Sequence, residues 1–303
     1  MSQGSRYRNN GRRQQQKHKN VTEAVPICED NPVLKAFVEY AQELDDKHDR
    51  YERIVKLSRD ITIESKRIIF LLHTIDARKN NRAKTVEEAR QRLSKLILEN
   101  FKSLALELVD QDPCQYRCAY SPGLQEFIEA YSFMEYFQFC SDDGSGTMSD
   151  WLALQQKMVY QKNEKDTCDD PLKTETTSKE QKQSEEETKK PQTVIFNVDP
   201  TEYILGLSDL TGELMRRCIN SLGSGETDVC LEACKVLQQF YTGYISLNVH
   251  RCRELSRKIY TMRQSVLKTE NVCYNVKVRG GEAAKWGSVF ENKITEDLDE
   301  GFY

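Results

Sequence analysis

The sequence predicts an all-α fold, a bundle of six or seven helices interrupted by one long polar loop. Three observations carry this. Apolar residues recur at steps of three and four over long stretches. Helix-start signals stand at Asn31-Pro32 and Asp199-Pro200. No period-two alternation or hairpin signal competes with them.

Taken in order, residues 1–30 read as a disordered basic arm. Arg6, Arg8, Arg12, Arg13, Lys17 and Lys19 are interleaved with Gln, Asn and Gly, and almost nothing there can be buried. Nuclear import or RNA contact is the functional option for this arm, and a solvated tail the plain one. A helical domain is expected over 31–280. Asn31 caps a first helix whose apolar positions, from Leu34 and Phe37 through Ile54, Ile61, Ile68 and Leu72, sustain the helical period to about Asn80. Thr85-Val86-Glu87-Glu88 reads as a capping box opening a second helix, with Leu93, Ile97, Phe101, Leu104 and Leu108 facing inward.

Pro113 and then Pro122-Gly123 interrupt that pattern. A third helix follows, with Leu124, Phe127, Ile128, Tyr131, Phe133, Met134 and Phe137. It is apolar nearly all round and so belongs in the interior. A short helix near 149–160 precedes an insert over 161–190, where Leu172 is the only large aliphatic residue. Such a stretch cannot bury enough surface to offset its ordering entropy and is expected to be a disordered, solvated loop. Helices are then expected from Pro200 to a glycine stop at Gly223, over about 227–247, and over about 251–278. Residues 281–303 form a loose acidic tail.

The chain has 303 residues, enough for one large domain or two small ones. Lys+Arg 44 against Asp+Glu 48 gives a net charge of −4, and mean hydropathy is −0.70. That balance excludes a generally basic nucleic-acid coat while leaving room for a local basic face. No apolar run approaches the ~18 residues of a membrane span, and the polar, basic N-terminus is no secretory signal. A soluble, intracellular chain is expected, with no membrane partner. Ten cysteines occur without any C-x-x-C pair. Cys114/Cys118 and Cys230/Cys234, each four apart, could ligate a metal from one helix face, but reduced cysteines acting as small hydrophobes are the expected reading.

Neither a phosphate loop nor a Gly-x-Ser-x-Gly elbow is present. Two carboxylate pairs stand out instead. Glu126 and Glu129 are three apart, and Asp209 and Glu213 four apart, on helices that otherwise read as buried. Gly206 and Gly212 flank Asp209 and are expected to leave open space beside it. One such pair ordinarily marks a solvated helix face. Two pairs on two apolar helices repel each other unless something positive stands between them, and a hard divalent cation, Mg²⁺ or Mn²⁺, does so with oxygen ligands. Such an ion can activate a water and hold a phosphodiester. The competing reading is that Arg216 and Arg217 neutralise Glu213 as salt bridges. On the first helix, Arg59 and Lys66 are seven apart on one side, beside Arg67, and are candidate contacts to a sugar–phosphate backbone; a solvated face is the alternative.

The stretch from His48 through Ile54, Arg59 and Glu64 to Arg67 closely resembles the translin family, in its translin-associated branch rather than translin itself. So do Gly123-Leu124-Gln125-Glu126, Asp209-Leu210-Thr211-Gly212-Glu213-Leu214-Met215-Arg216 and Leu255-Ser256-Arg257-Lys258-Ile259-Tyr260. The resemblance spans about residues 32–280 apart from the insert. It implies a translin-type helical bundle, assembly with translin into a closed octamer-like shell, and a Mg²⁺-dependent endoribonuclease acting on single-stranded RNA in the cytoplasm and nucleus. It further implies roles in clearing passenger-strand fragments with the RNA-silencing loading machinery and in tRNA-fragment processing. The family's acidic catalytic residues fall on Glu126, Glu129, Asp209 and Glu213, with Glu129 and Glu213 the expected direct metal ligands. No role carries over to the arm or the insert.

Two rival classes remain. One is a non-catalytic helical scaffold that stabilises a nucleic-acid-binding partner, its acidic pairs serving only salt bridges. The other, a di-iron carboxylate oxidase, is disfavoured by the absence of any Glu-x-x-His motif.

Overall fold

The computed structural model describes residues 31–139, 148–161, 193–223, 225–247 and 252–279. The expected arm at 1–30, nearly all of the insert at 161–190 and the tail at 281–303 lie outside these. The chain divides into two units, Met1–His48 and Asp49–Tyr303.

Helix α1 spans Pro32–His73. Its start follows the expected signal: Asn31 Oδ1 accepts the Val33 N–H at 2.9 Å, and Pro32 takes the first helical position. Within the first unit, Phe37, Val38, Tyr40 and Leu44 are exposed, so the apolar stripe read there is uncovered in the single chain. In the second unit, Ile54, Ile61, Ile68 and Leu72 are fully buried.

Three local expectations are corrected. α1 ends at His73 rather than near Asn80, because side chains capture the backbone that would have continued it. Thr74 Oγ1 donates to Leu71 O at 2.7 Å, Asn81 Nδ2 donates to Thr74 O at 3.0 Å, and Asp76 Oδ1 accepts from Arg78 N at 2.8 Å. A short 3₁₀ turn, Ala77–Lys79, follows, and Asn80 adopts φ 47°. Helix α2, Arg82–Leu96, then begins three residues before the capping box, with Thr85 buried inside it. Burial of the Thr85 face outweighs the local capping chemistry. A π-helical turn, Ile97–Phe101, joins α2 to α3, Lys102–Glu107. Phe101 lands fully buried, edge-on to Phe127 at 4.8 Å and to Phe196 at 5.2 Å between ring centroids. Leu108 is only half-buried.

The third correction concerns α4, Pro113–Phe139, which runs straight through Pro122. Asp112 Oδ1 accepts from Cys114 N at 2.9 Å, so Pro113 opens this helix instead of breaking the chain. At the proline the lost hydrogen bond is offset from α1: the Gly123 N–H donates to Ser58 Oγ at 3.1 Å. A Cβ on Gly123 would stand 2.6 Å from Ser58 O, so only glycine lets α1 come this close. From Leu124 to Phe137 nearly every residue is buried, and α4 forms the centre of the bundle as expected.

Helix α5, Trp151–Lys157, leads into β1, Val159–Gln161, which pairs antiparallel with β2, Thr193–Ile195. This two-stranded ladder has no counterpart in the sequence reading, because three-residue strands are too short to show alternation. Helices α6 (Pro200–Gly223), α7 (Thr227–Ile245) and α8 (Arg253–Arg279) complete the fold close to their expected limits. With the rod through the π-helical turn counted once, the described residues form seven helices. Cys218, Cys230, Cys234 and Cys273 are buried with Ala233 in a small second core between α6, α7 and α8.

Candidate functional site

The site is built by pressing α6 onto α4, and two features do this. In the first turn of α6, Glu202 is almost completely buried and receives three donors from α4: Arg117 Nε at 2.7 Å, Ser121 Oγ at 2.5 Å and Gln125 Nε2 at 2.7 Å. One turn on, Gly206 permits the closest approach, since a Cβ there would stand 2.8 Å from both Gln125 O and Ile128 Cβ. The expectation of open space at Gly206 is thereby corrected. Its missing side chain is filled by α4. At Gly212 nothing lies within 4 Å, and that glycine does face open space.

Glu126 and Glu129 of α4 and Asp209 of α6 line one cavity of about 410 Å³, together with Lys66 of α1 and Lys258 of α8. The carboxylates are differently partnered. Lys258 Nζ donates to Asp209 Oδ2 at 2.6 Å, to Gln125 Oε1 at 2.8 Å and to Leu205 O at 3.0 Å. Lys66 Nζ stands 3.7 Å from Glu126 Oε2. Glu213 lies at the edge, with Oε2 2.5 Å from His73 Nε2 and Oε1 3.4 Å from Arg216. The Glu129 carboxylate makes no hydrogen bond or ion pair among the described residues.

The electrostatics follow from this. Burial pushes Glu129 up to about 8, reinforced by the charges of Glu126, Asp209 and Glu213 and offset by Lys258. Burial also raises Glu126, against the pull of Lys66, and raises Asp209, against its bond to Lys258. The cavity's other polar groups are hydroxyls whose protons are spent on backbone carbonyls. Ser208 donates to Leu205 O, Thr211 to Ser208 O, Thr261 to Arg257 O and Ser265 to Thr261 O. That leaves a wall of oxygen acceptors around mutually repelling carboxylates, a donor set that fits a hard divalent cation.

Of the residues singled out in the sequence, Glu126, Glu129 and Asp209 meet in the cavity and Glu213 borders it. Arg216 does pair with Glu213, as the salt-bridge reading held. Arg217 does not: it donates to Ile75 O at 2.7 Å and stands 3.5 Å from Glu226. Arg59, Lys66 and Arg67 are exposed on α1, with Lys66 at the cavity and Arg67 3.4 Å from Glu64. Two site residues were missed. Lys258 sits on the apolar stripe of α8 in step with Leu255, Met262 and Ser265, and a lysine in a core register is the signal that could have found it. His73 lies seven residues after Lys66 on the same face of α1.

Residues 49–280 match the translin family. A curated relative from Pongo abelii, translin-associated protein X, is 37% identical over 93% of this chain and 92% of its own length. That of Mus musculus is 39% identical over 84% and 82%. Among solved structures, the crystal structure of AfC3PO superposes with a TM-score of 0.53 at 18% identity, covering 81% of this chain and 98% of its own. The AfC3PO complex with duplex RNA gives a TM-score of 0.51 at 20% identity over the same shares. At this identity the structures speak for the fold alone, a translin-type helical bundle. With the family match spanning most of the chain, the sequence belongs to the translin family.

Proposed function

We propose that the chain is the catalytic subunit of a translin-containing, Mg²⁺-dependent endoribonuclease that cleaves single-stranded RNA, in RNA-silencing activation and tRNA-fragment processing, in the cytoplasm and nucleus. One observation carries the catalytic part: three carboxylates from two helices face one cavity, and the most buried of them, Glu129, has no hydrogen-bond or ion-pair partner among the described residues. Glu126, Glu129, Asp209 and Glu213 are the residues that would hold Mg²⁺, with Glu129 and Glu213 the expected direct ligands. When bound, the ion supplies Lewis-acid polarisation of a phosphodiester oxygen and a coordinated water of lowered pKa.

The chain's own groups do the rest. Lys258, anchored by hydrogen bonds to Gln125 Oε1 and Leu205 O, donates a third to Asp209 and so holds it in place. His73 and Arg216 fix both oxygens of Glu213. Lys66, at the rim and more than half exposed, is placed to meet a phosphate, and Arg59 and Arg67 extend that charge along α1. Translin as partner is supported by the relatives' name and by the apolar residues left uncovered on α1 and on α8, where Tyr260, Leu267 and Tyr274 recur every seven residues. Cleavage of a single-stranded RNA by the complex reconstituted with translin, present with Mg²⁺ and lost with EDTA, is the expected result. Undiminished cleavage in EDTA overturns it.

A second reading, the non-catalytic scaffold, draws on the ion pairs of Asp209 with Lys258 and of Glu213 with His73 and Arg216. Under that reading, Glu129→Gln leaves cleavage per folded complex unchanged. Under the catalytic reading it abolishes cleavage while assembly and RNA binding persist.

A further inference from the structure

We infer that Cys218, Cys230 and Cys273, with Cys234 as fourth ligand, form a thiolate site for a zinc ion at the far end of the α6–α7–α8 bundle. The site is separate from the acidic cavity, and the inference does not depend on the proposed nuclease activity.

Three helices each send a cysteine to one point: Cys218 from the last turns of α6, Cys230 from the first turn of α7, Cys273 from the second half of α8. The Sγ atoms of Cys218 and Cys230 lie 3.0 Å apart, those of Cys230 and Cys273 3.5 Å apart, and all three fall within 4.8 Å of one another. Four sulfurs bound at ~2.3 Å around one tetrahedral zinc stand ~3.8 Å from each other, so the three sulfurs need move apart by less than about 1 Å to form a zinc–thiolate shell. Cys234, one turn after Cys230 on the same face of α7, is buried in the same small cluster and is the nearest candidate for a fourth donor.

Cysteines that only fill a core place their sulfurs against methyl groups. Here sulfur meets sulfur, inside a cluster otherwise closed by Ala233, Leu222, Leu231 and Val272. A disulfide has sulfurs ~2.05 Å apart, and a single one would leave two of the four thiols unused.

The protonation pattern agrees with this geometry. Burial pushes the Cys234 thiol up to about 12. Cys230 is pulled down by its contacts with the Cys218 and Cys273 sulfurs. Its place in the first turn of α7 acts the same way, through the positive end of the helix dipole. Zinc entry displaces the thiol protons to solvent. Soft sulfur donors exclude Mg²⁺ here, as the all-oxygen cavity disfavours zinc's thiolate chemistry there. The site would tie α6, five residues past Glu213, to α7 and α8.

The test uses the full chain, reduced and handled without oxygen, with zinc and cobalt(II) salts as probes. After desalting, elemental analysis is expected to find about one zinc per chain. Cobalt should give the intense visible d–d bands and the sulfur-to-metal charge transfer of a tetrahedral thiolate site. Cys218→Ser and Cys273→Ser should each weaken zinc retention at least about tenfold, while the exposed pair Cys114→Ser/Cys118→Ser leaves it unchanged. Because the wild-type spectrum decides by itself, a variant that fails to fold does not blunt the test. Three outcomes overturn the inference: a folded wild-type chain retaining no zinc after loading, an octahedral cobalt spectrum, or zinc lost from the Cys114/Cys118 variant.

Discussion

His73 Nε2 lies 2.5 Å from Glu213 Oε2, joining the last residue of α1 to the acidic face of α6 across 140 residues of sequence. His73 Nδ1 is buried with no hydrogen-bond partner among the described residues, so the geometry puts the imidazole proton on Nε2, donating to the carboxylate. Glu213 is therefore a carboxylate with two protein donors. Glu129, its neighbour in the site, has none among the described residues.

This asymmetry separates two substitutions that sequence spacing alone would treat as equivalent. Glu213→Gln removes a charge that His73 and Arg216 are arranged to meet and should cost about 1–2 kcal/mol. Glu129→Gln removes a buried carboxyl that the fold must protonate at neutral pH or hold ionised above about 8, and should stabilise the metal-free chain at neutral pH and above. At roughly 2–4 °C per kcal/mol for a domain of this size, the two melting temperatures should move in opposite directions. Differential scanning calorimetry on both variants checks this, and a parallel loss at both positions would contradict it.

The same carboxylate sets a pH dependence. Glu129 rises from an ordinary value of 4.5 to about 8 in the fold. An acid raised on folding binds its proton more tightly in the native state, so its ionisation destabilises that state. Stability of the metal-free chain should be highest below 4.5 as far as this group is concerned. It should then decline as pH climbs through the window up to about 8, Glu126 and Asp209 acting in the same sense. Urea midpoints across this range should fall for wild type and flatten in Glu129→Gln. Mg²⁺ should shallow the wild-type decline by binding the ionised form.

Two glycines a turn and a half apart should respond oppositely to alanine. Gly206→Ala drives a methyl group into Gln125 O and Ile128 and should destabilise by about 1–3 kcal/mol as α6 is pushed off α4. Gly212→Ala meets nothing within 4 Å and should gain up to about 1 kcal/mol of helix propensity. Chemical denaturation of the pair reads this directly. Equal destabilisation would mean that the α4–α6 contact is looser than described.

Lys258 is the keystone of the site's charge balance. Lys258→Met keeps the length of the side chain and removes the ammonium that Asp209, Gln125 and Leu205 O share. With Asp209 partly open to solvent, the expected cost is about 1–2 kcal/mol. The Asp209 carboxyl should also titrate higher than in wild type. NMR titration of the Asp209 side chain in the two proteins measures that shift, and an unchanged titration would remove Lys258 from the site.

What the sequence made legible was local. Asn31-Pro32 and Asp199-Pro200 start helices where expected, because a cap needs only its next two or three residues. The two carboxylate pairs were visible because three- and four-residue spacing fixes a helix face. Their meeting was not, since it depends on Gly206 yielding to α4, and a glycine's neighbours are invisible from its own chain. Pro122 misled for the same reason: Ser58, 65 residues away from Gly123, supplies the partner that the helix lacks. Lys258 and His73 reach their carboxylates across 49 and 140 residues, distances over which no periodicity speaks. Thr85 shows the converse, a sound local capping pattern overruled by the burial of its face.

The short ladder between β1 and β2 has a practical meaning. Gln161 and Thr193 are paired, Phe196 N donates to Met158 O at 3.0 Å, and Gln155 bonds both Phe196 O and Val198 N. Positions 161 and 193 are therefore held side by side at a single fastened doorway. A whole folded reporter, its own termini close together, can be spliced in at this doorway, making it the natural place to label the protein while leaving the helices that frame the acidic cavity untouched.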